Sequence, residues 1–148
     1  MRRSGIIVLS ICTIFITTFF IVTVVIPMIA NPMRRPHAIA TNYVWRLTPV
    51  GTHIDDVIEV IENRGDWRIH GISREGGFAH PRLRGPDHGW PESPTTGHAI
   101  VGEQSIRAHP EVYRAWYKLF IPTRVSIFWG FDADGYLLEI FVWKDSGP

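Results

Sequence analysis

The sequence predicts an α+β fold: an N-terminal transmembrane helix, then a small domain of one or two helices packed on an antiparallel sheet that ends in a C-terminal β-hairpin. Three observations predict it. Gly5 to Ile29 is a run of 25 residues without a charge. Ile54, Val57, Ile58 and Ile61 recur at i, i+3, i+4 and i+7, one face of an α-helix. Two β-rich runs, 125–131 and 136–143, flank Asp132-Ala133-Asp134-Gly135, four residues that favour a turn.

As a helix, the uncharged run would span roughly 37 Å at ~1.5 Å per residue, enough for a ~30 Å hydrocarbon core. A cleaved signal peptide has a shorter apolar stretch of ~7–15 residues and small residues at the cut. Here Met28 stands two positions before Ala30. A lipid attachment at Cys12 is disfavoured as well, because Ile11 rather than a small residue precedes it. Residues 5–30 are therefore expected to be an uncleaved signal anchor in the bilayer, behind a tail of residues 1–4. Arg2, Arg3 and the free amino terminus against Arg34 and Arg35 favour a cytoplasmic N-terminus and an extracytoplasmic domain on a single-pass cell-membrane protein.

Residues 31–42, with Pro32 and Pro36, read as a stiff linker. The domain then covers 43–148. Its first helix starts after Thr52, where Thr52 and Asp55 resemble a capping box, carries Asp55, Asp56, Glu59 and Glu62 on its polar face, and stops at Gly65 in a left-handed cap. A short strand follows at 66–73, with Trp67 and Ile69 on one face. Residues 71–97 hold six glycines and four prolines and read as a long mobile loop. Residues 102–107 are a candidate strand. His109-Pro110-Glu111 opens either a helix running to Phe120 or a further strand.

In the hairpin, a four-residue loop places Phe131 opposite Tyr136, Trp129 opposite Leu138, Ile127 opposite Ile140 and Val125 opposite Val142. Every pair on that face is apolar, which marks the core side. The pleat sends Arg124, Phe128, Leu137, Phe141 and Trp143 to the other face. A face turned to water usually alternates to polar residues. These five form the candidate contact surface for a protein partner, unless a second layer of the domain covers them.

Other classes of function find little in the sequence. Fifteen Lys and Arg oppose 14 Asp and Glu, and setting Arg2 and Arg3 aside leaves a formal charge of −1. No stretch is basic enough for a nucleic-acid footprint. Cys12 is the only cysteine, so neither an intrachain disulfide nor a cysteine zinc site is open to the domain. His80, Asp87, His88 and His98 share the long loop but lack metal-ligand spacing. No serine lies in a nucleophile elbow, and there is no phosphate-binding glycine loop. No catalytic, metal or cofactor-binding residue is assigned.

Leu47 through Ile61 and Val125 through Lys144 resemble the opening and closing segments of small membrane-anchored bacterial proteins of unassigned function. A Gly-Thr turn into an Asp-Val helix, followed by strands with an Asp-x-x-Gly turn, is more distantly similar to the SmpA/OmlA-like domains. These include the small lipoprotein of the outer-membrane barrel assembly machinery and relatives of the β-lactamase inhibitory proteins. The chain departs from them in having no lipidation motif and in the 71–97 insertion. That resemblance implies a binding or scaffolding module without catalysis. A membrane-bound immunity or inhibitor protein, or a small histidine-dependent envelope hydrolase using the long loop, are the alternatives.

Overall fold

The computed structural model describes residues 2–26, 30–84, 89–110, 112–114 and 122–145. Helix α1 (Arg2–Phe20) is followed by a π-helical turn, Ile21–Val25, and later by a 3-10 turn, Pro32–Arg34. Helices α2 (His37–Leu47) and α3 (Ile54–Glu62) come next. The strands are β1 (Arg68–Ser73), β2 (Phe78–Arg84), β3 (His98–Val101), β4 (Gln104–His109), β5 (Val112–Arg114), β6 (Pro122–Phe131) and β7 (Leu137–Asp145).

The expected transmembrane helix is overturned. The α-helix stops at Phe20, where the β-branched Ile21-Val22-Thr23-Val24-Val25 crowds the backbone and the ladder widens, the Ile26 N–H reaching the Ile21 carbonyl. The Thr23 hydroxyl also donates to the Phe19 carbonyl at 2.6 Å and competes for that ladder acceptor. No helix among the described residues is long and apolar enough to cross a membrane. The transmembrane signal anchor expected over 5–30 is not supported by that finding. Residues 27–29, the end of the apolar run, lie outside the described residues.

The segment read as a linker holds structure. The Asn31 side chain accepts from the Met33 N–H at 2.9 Å and opens the 3-10 turn. Pro36 then precedes α2, a position where proline costs no ladder hydrogen bond. Met33, Ala40 and Val44 are buried against the sheet.

The main sheet is an antiparallel meander. β1 pairs with β4, β4 with β6 and β6 with β7; β5 lies beside the first residues of β6, continuing the line of β4. The 110–120 region contributes β5 where a helix was one expectation; 111 and 115–121 lie outside the described residues. One face of the sheet presents Ile106, Ala108, Val125, Ile127, Trp129, Phe131, Ile140 and Val142 to α2 and α3. From α3 it receives Ile54, Val57 and Ile61, all fully buried and each worth ~1.5–3 kcal/mol of transfer free energy.

Several local expectations change. The N-cap of α3 is His53, whose Nδ1 accepts from the Asp55 N–H at 3.4 Å, while the Thr52 hydroxyl donates to the Pro49 carbonyl at 2.6 Å. Asn63 closes the helix in a right-handed conformation, and Gly65 does not take a positive φ. In the hairpin the register moves by one residue at Phe131, which pairs with Leu137, and by two beyond the bulge between Gly130 and Phe131, where Trp129 pairs with Ile140 and Ile127 with Val142. Tyr136 is released from the hairpin and bridges His53 instead. Gly135 makes the tight turn with φ +87, and the Tyr136 N–H is held by the Asp132 carboxylate at 2.7 Å.

The 71–97 segment is more than a loop. β2 lies within it and pairs with β3 to form a second, two-stranded sheet. That sheet lies over the other face of the main sheet, where Phe78 and Val101 join Phe141 in a second cluster flanked by Phe128, Trp143 and Trp90. Gly102 makes the crossing back to the main sheet: its φ is +75, and a Cβ there would stand 2.7 Å from the Phe131 nitrogen.

Candidate functional site

The outer face of the main sheet is where the unexplained side chains gather. Of the five residues expected on it, Phe128, Phe141 and Trp143 lie there together. Arg124 is exposed at its margin. Leu137 does not belong to it: the bulge beside Phe131 turns it into the main core, 1% exposed. Phe141 is buried, because β2 lays its own side chains over it.

Strand alternation in β2 aims Phe78, His80 and Arg82 at this face. His80 is buried, its ring 4.2 Å from Phe141. Its Nδ1 accepts the N–H groups of Arg82 at 3.2 Å and Leu83 at 3.1 Å, which shapes the chain around Pro81. This is a packing and turn-holding histidine. The Arg82 guanidinium sits 5.8 Å from the Phe141 ring and 5.7 Å from Trp143, a cation–π placement. At the far end His37 meets Phe141 edge-on at 6.0 Å, its pKa lowered by burial and then by the charges of Arg82 and Lys144.

Beyond the cover of β2 the face opens. A groove of about 250 Å³ runs between β1 and β2. Phe128 and Phe78 lie at its floor, with Gly71 and Ser73 of β1 on one side. Ile72 pairs with Ile106, so its half-exposed side chain points to the other face of the sheet. Among the described residues β1 hydrogen-bonds to β4 alone, so its other edge is open. Arg107 enters the groove from β4, its guanidinium 5.2 Å from the Phe128 ring. Its Nε is buried without a hydrogen-bond partner among the described residues.

Further along β4 and β6 lies a pair that sequence reasoning missed. His109 Nδ1 is 2.9 Å from the Ser126 hydroxyl and 3.3 Å from the Val125 carbonyl, and the His70 ring is 4.9 Å away. No linear motif could have shown it, since the two residues meet only through the β4–β6 pairing. Burial lowers the His109 pKa and the Val125 carbonyl opposes this; Arg107, His70 and Arg124 lower it further. As a nucleophile–base pair it is poorly built. Ser126 is 3% exposed, and no carboxylate orients the imidazole among the described residues.

A second cleft, about 400 Å³, lies between the turns at Arg74–Gly77, Gly102–Gln104 and Ala133. Two of its polar side chains are engaged: Arg74 pairs with Asp55 at 3.0 Å, and Gln104 donates to the Ala133 carbonyl at 2.9 Å, while Glu75 and Glu103 also line it. Of the loop group considered for a metal, Asp87 and His88 lie outside the described residues. Among those described, no three His, Cys, Asp or Glu side chains converge. Comparison with family models, with curated proteins and with solved structures finds no match.

Proposed function

We propose that the domain is a non-catalytic binding module that takes an extended segment of another protein along the open edge of β1. One observation carries this reading: the groove floored by Phe128 and Phe78 runs beside a strand whose outer edge is unpaired among the described residues. An edge strand offers main-chain donors and acceptors to an added strand, and a neighbouring apolar groove receives alternate side chains. The distant likeness to SmpA/OmlA-like domains fits a binding role of this kind. An inhibitor or immunity role is the same surface with an enzyme as its partner.

The test is to pan the full chain against a displayed library of random heptapeptides and to measure amide exchange with an enriched peptide bound. Enrichment of alternating β-branched sequences, with slowed exchange at 69–73 and no change in α3, is the expected result. If enrichment is equal on a Ser73→Asp variant, or protection falls on the turns at 74–77 and 102–104, the groove is not the site.

A further inference from the structure

We propose that the groove selects segments bearing a carboxylate, which docks against Arg107 above Phe128. This rests on the groove being the binding site, and it goes further by naming what the groove reads. Arg107 is half-buried with its guanidinium 5.2 Å from the Phe128 ring, and among the described residues no carboxylate forms an ion pair with it. A guanidinium presents five donors. The Nε is buried without a partner among the described residues, so the terminal nitrogens are the ones an arriving acceptor would meet.

The surroundings favour an anion and not a neutral acceptor. Arg82 lies over Phe141 and Trp143 on the same face, and Arg124 borders it; among the described residues neither makes an ion pair. The acids of α3 lie on the opposite side of the sheet; Glu139 and Asp145 share the outer face, but among the described residues neither forms an ion pair with these cations. The ring of Phe128 fixes one face of the guanidinium, leaving its edge for in-plane, two-pronged pairing with a carboxylate. A space of about 250 Å³ suits a peptide side chain or chain end more closely than a nucleotide run.

Three synthetic hexapeptides of the form Val-Thr-Val-X-Val-Thr separate the outcomes: X as Glu with an amidated end, X as Gln with an amidated end, and X as Gln with a free C-terminus. They are titrated into the full chain and binding is followed by amide shifts. The Glu peptide is expected to bind about tenfold more tightly than its amidated Gln counterpart. That preference should shrink at high salt and vanish in Arg107→Gln, with Arg107→Lys recovering only part. A preference carried by the free C-terminus alone would identify a chain end as the source of the same carboxylate. Equal binding of all three at 69–73, unchanged in Arg107→Gln, overturns the carboxylate assignment and leaves the groove standing. Shifts confined to another surface, or none with any peptide, overturn the groove itself.

Discussion

Phe141 shows how much one side chain depends on which layer covers it. The hairpin pattern alone puts it on a face that water or a partner would meet. The structure closes that face with His80 at 4.2 Å and with Phe78 and Phe128 beside it. Phe141→Ala is therefore expected to destabilise the domain by about 3 kcal/mol, measured by urea unfolding. A loss below about 1 kcal/mol would mean that the β2–β3 cover is not in place. In the main core, the Trp129 indole N–H donates to the Thr48 hydroxyl at 3.0 Å, and that hydroxyl donates to the Val44 carbonyl at 3.2 Å. Thr48→Val keeps the shape but strands a buried indole donor, a cost of about 1–3 kcal/mol. In a Trp129→Phe background the same substitution should cost clearly less. Equal costs in both backgrounds would show that the bond does not operate.

At the level of elements, legibility followed periodicity. α3 and the hairpin strands were plain because their apolar spacing matches 3.6 and 2 residues, whatever surrounds them. α2 was missed because Pro32 and Pro36 look like linker residues, although proline at a helix start breaks nothing. Its buried Ala40 and Val44 are too small a stripe to announce themselves. β2 was missed for a related reason: Gly76-Gly77 before it and Pro81 within it mask a strand whose buried residues are Phe78 and His80. The hairpin register slipped by one and then by two because a bulge at Gly130 and the His53–Tyr136 bridge are tertiary features. The groove was half visible. Phe128 could be placed by alternation, but Arg107 and the open edge of β1 depend on strand order, which no local pattern encodes. The β2–β3 sheet gives a direct test. Its amides Ala79 and Val101 should exchange at least tenfold more slowly than Thr95 and Thr96 at the tip of its connection, as expected for a packed element. Uniformly fast exchange across 76–101 would return this stretch to a loop.

Across the whole molecule, the exposed acids Asp55, Asp56, Glu59 and Glu62 lie on α3, while Arg82, Arg107 and Arg124 belong to the outer side of the sheet together with Glu139 and Asp145, and Lys144 lies at the end of β7 on the helix side. Lys144 is the member of this set that ties distant parts of the chain together. Its ammonium donates to the Met33 carbonyl at 2.6 Å and to the Arg35 carbonyl, pinning the 3-10 turn to β7 across more than a hundred residues of sequence. Two carbonyls replace part of its hydration, and among the described residues no carboxylate pairs with it, so burial lowers its pKa to about 8. The consequence for stability has a definite sign. Between pH 8 and 10.5 the unfolded chain still holds a proton that the folded chain has released. The unfolded state thus binds more protons in that window, and stability rises with pH. The lowered pKa values of His37 and His109 act with the same sign below 6.5, whereas the raised pKa of Glu139, caused by burial, acts against them above 4.5. The alkaline window belongs to Lys144 alone among these shifted groups. Its urea midpoint should climb from pH 8 to 10.5 in the wild type, and the climb should be absent from Lys144→Met once the tyrosines common to both are subtracted. At pH 7 the variant also loses both carbonyl contacts, so proteolysis between α1 and α2 should become faster. A pH profile identical in the two proteins would show that the ammonium is solvated and that the turn around Met33 is held by packing alone.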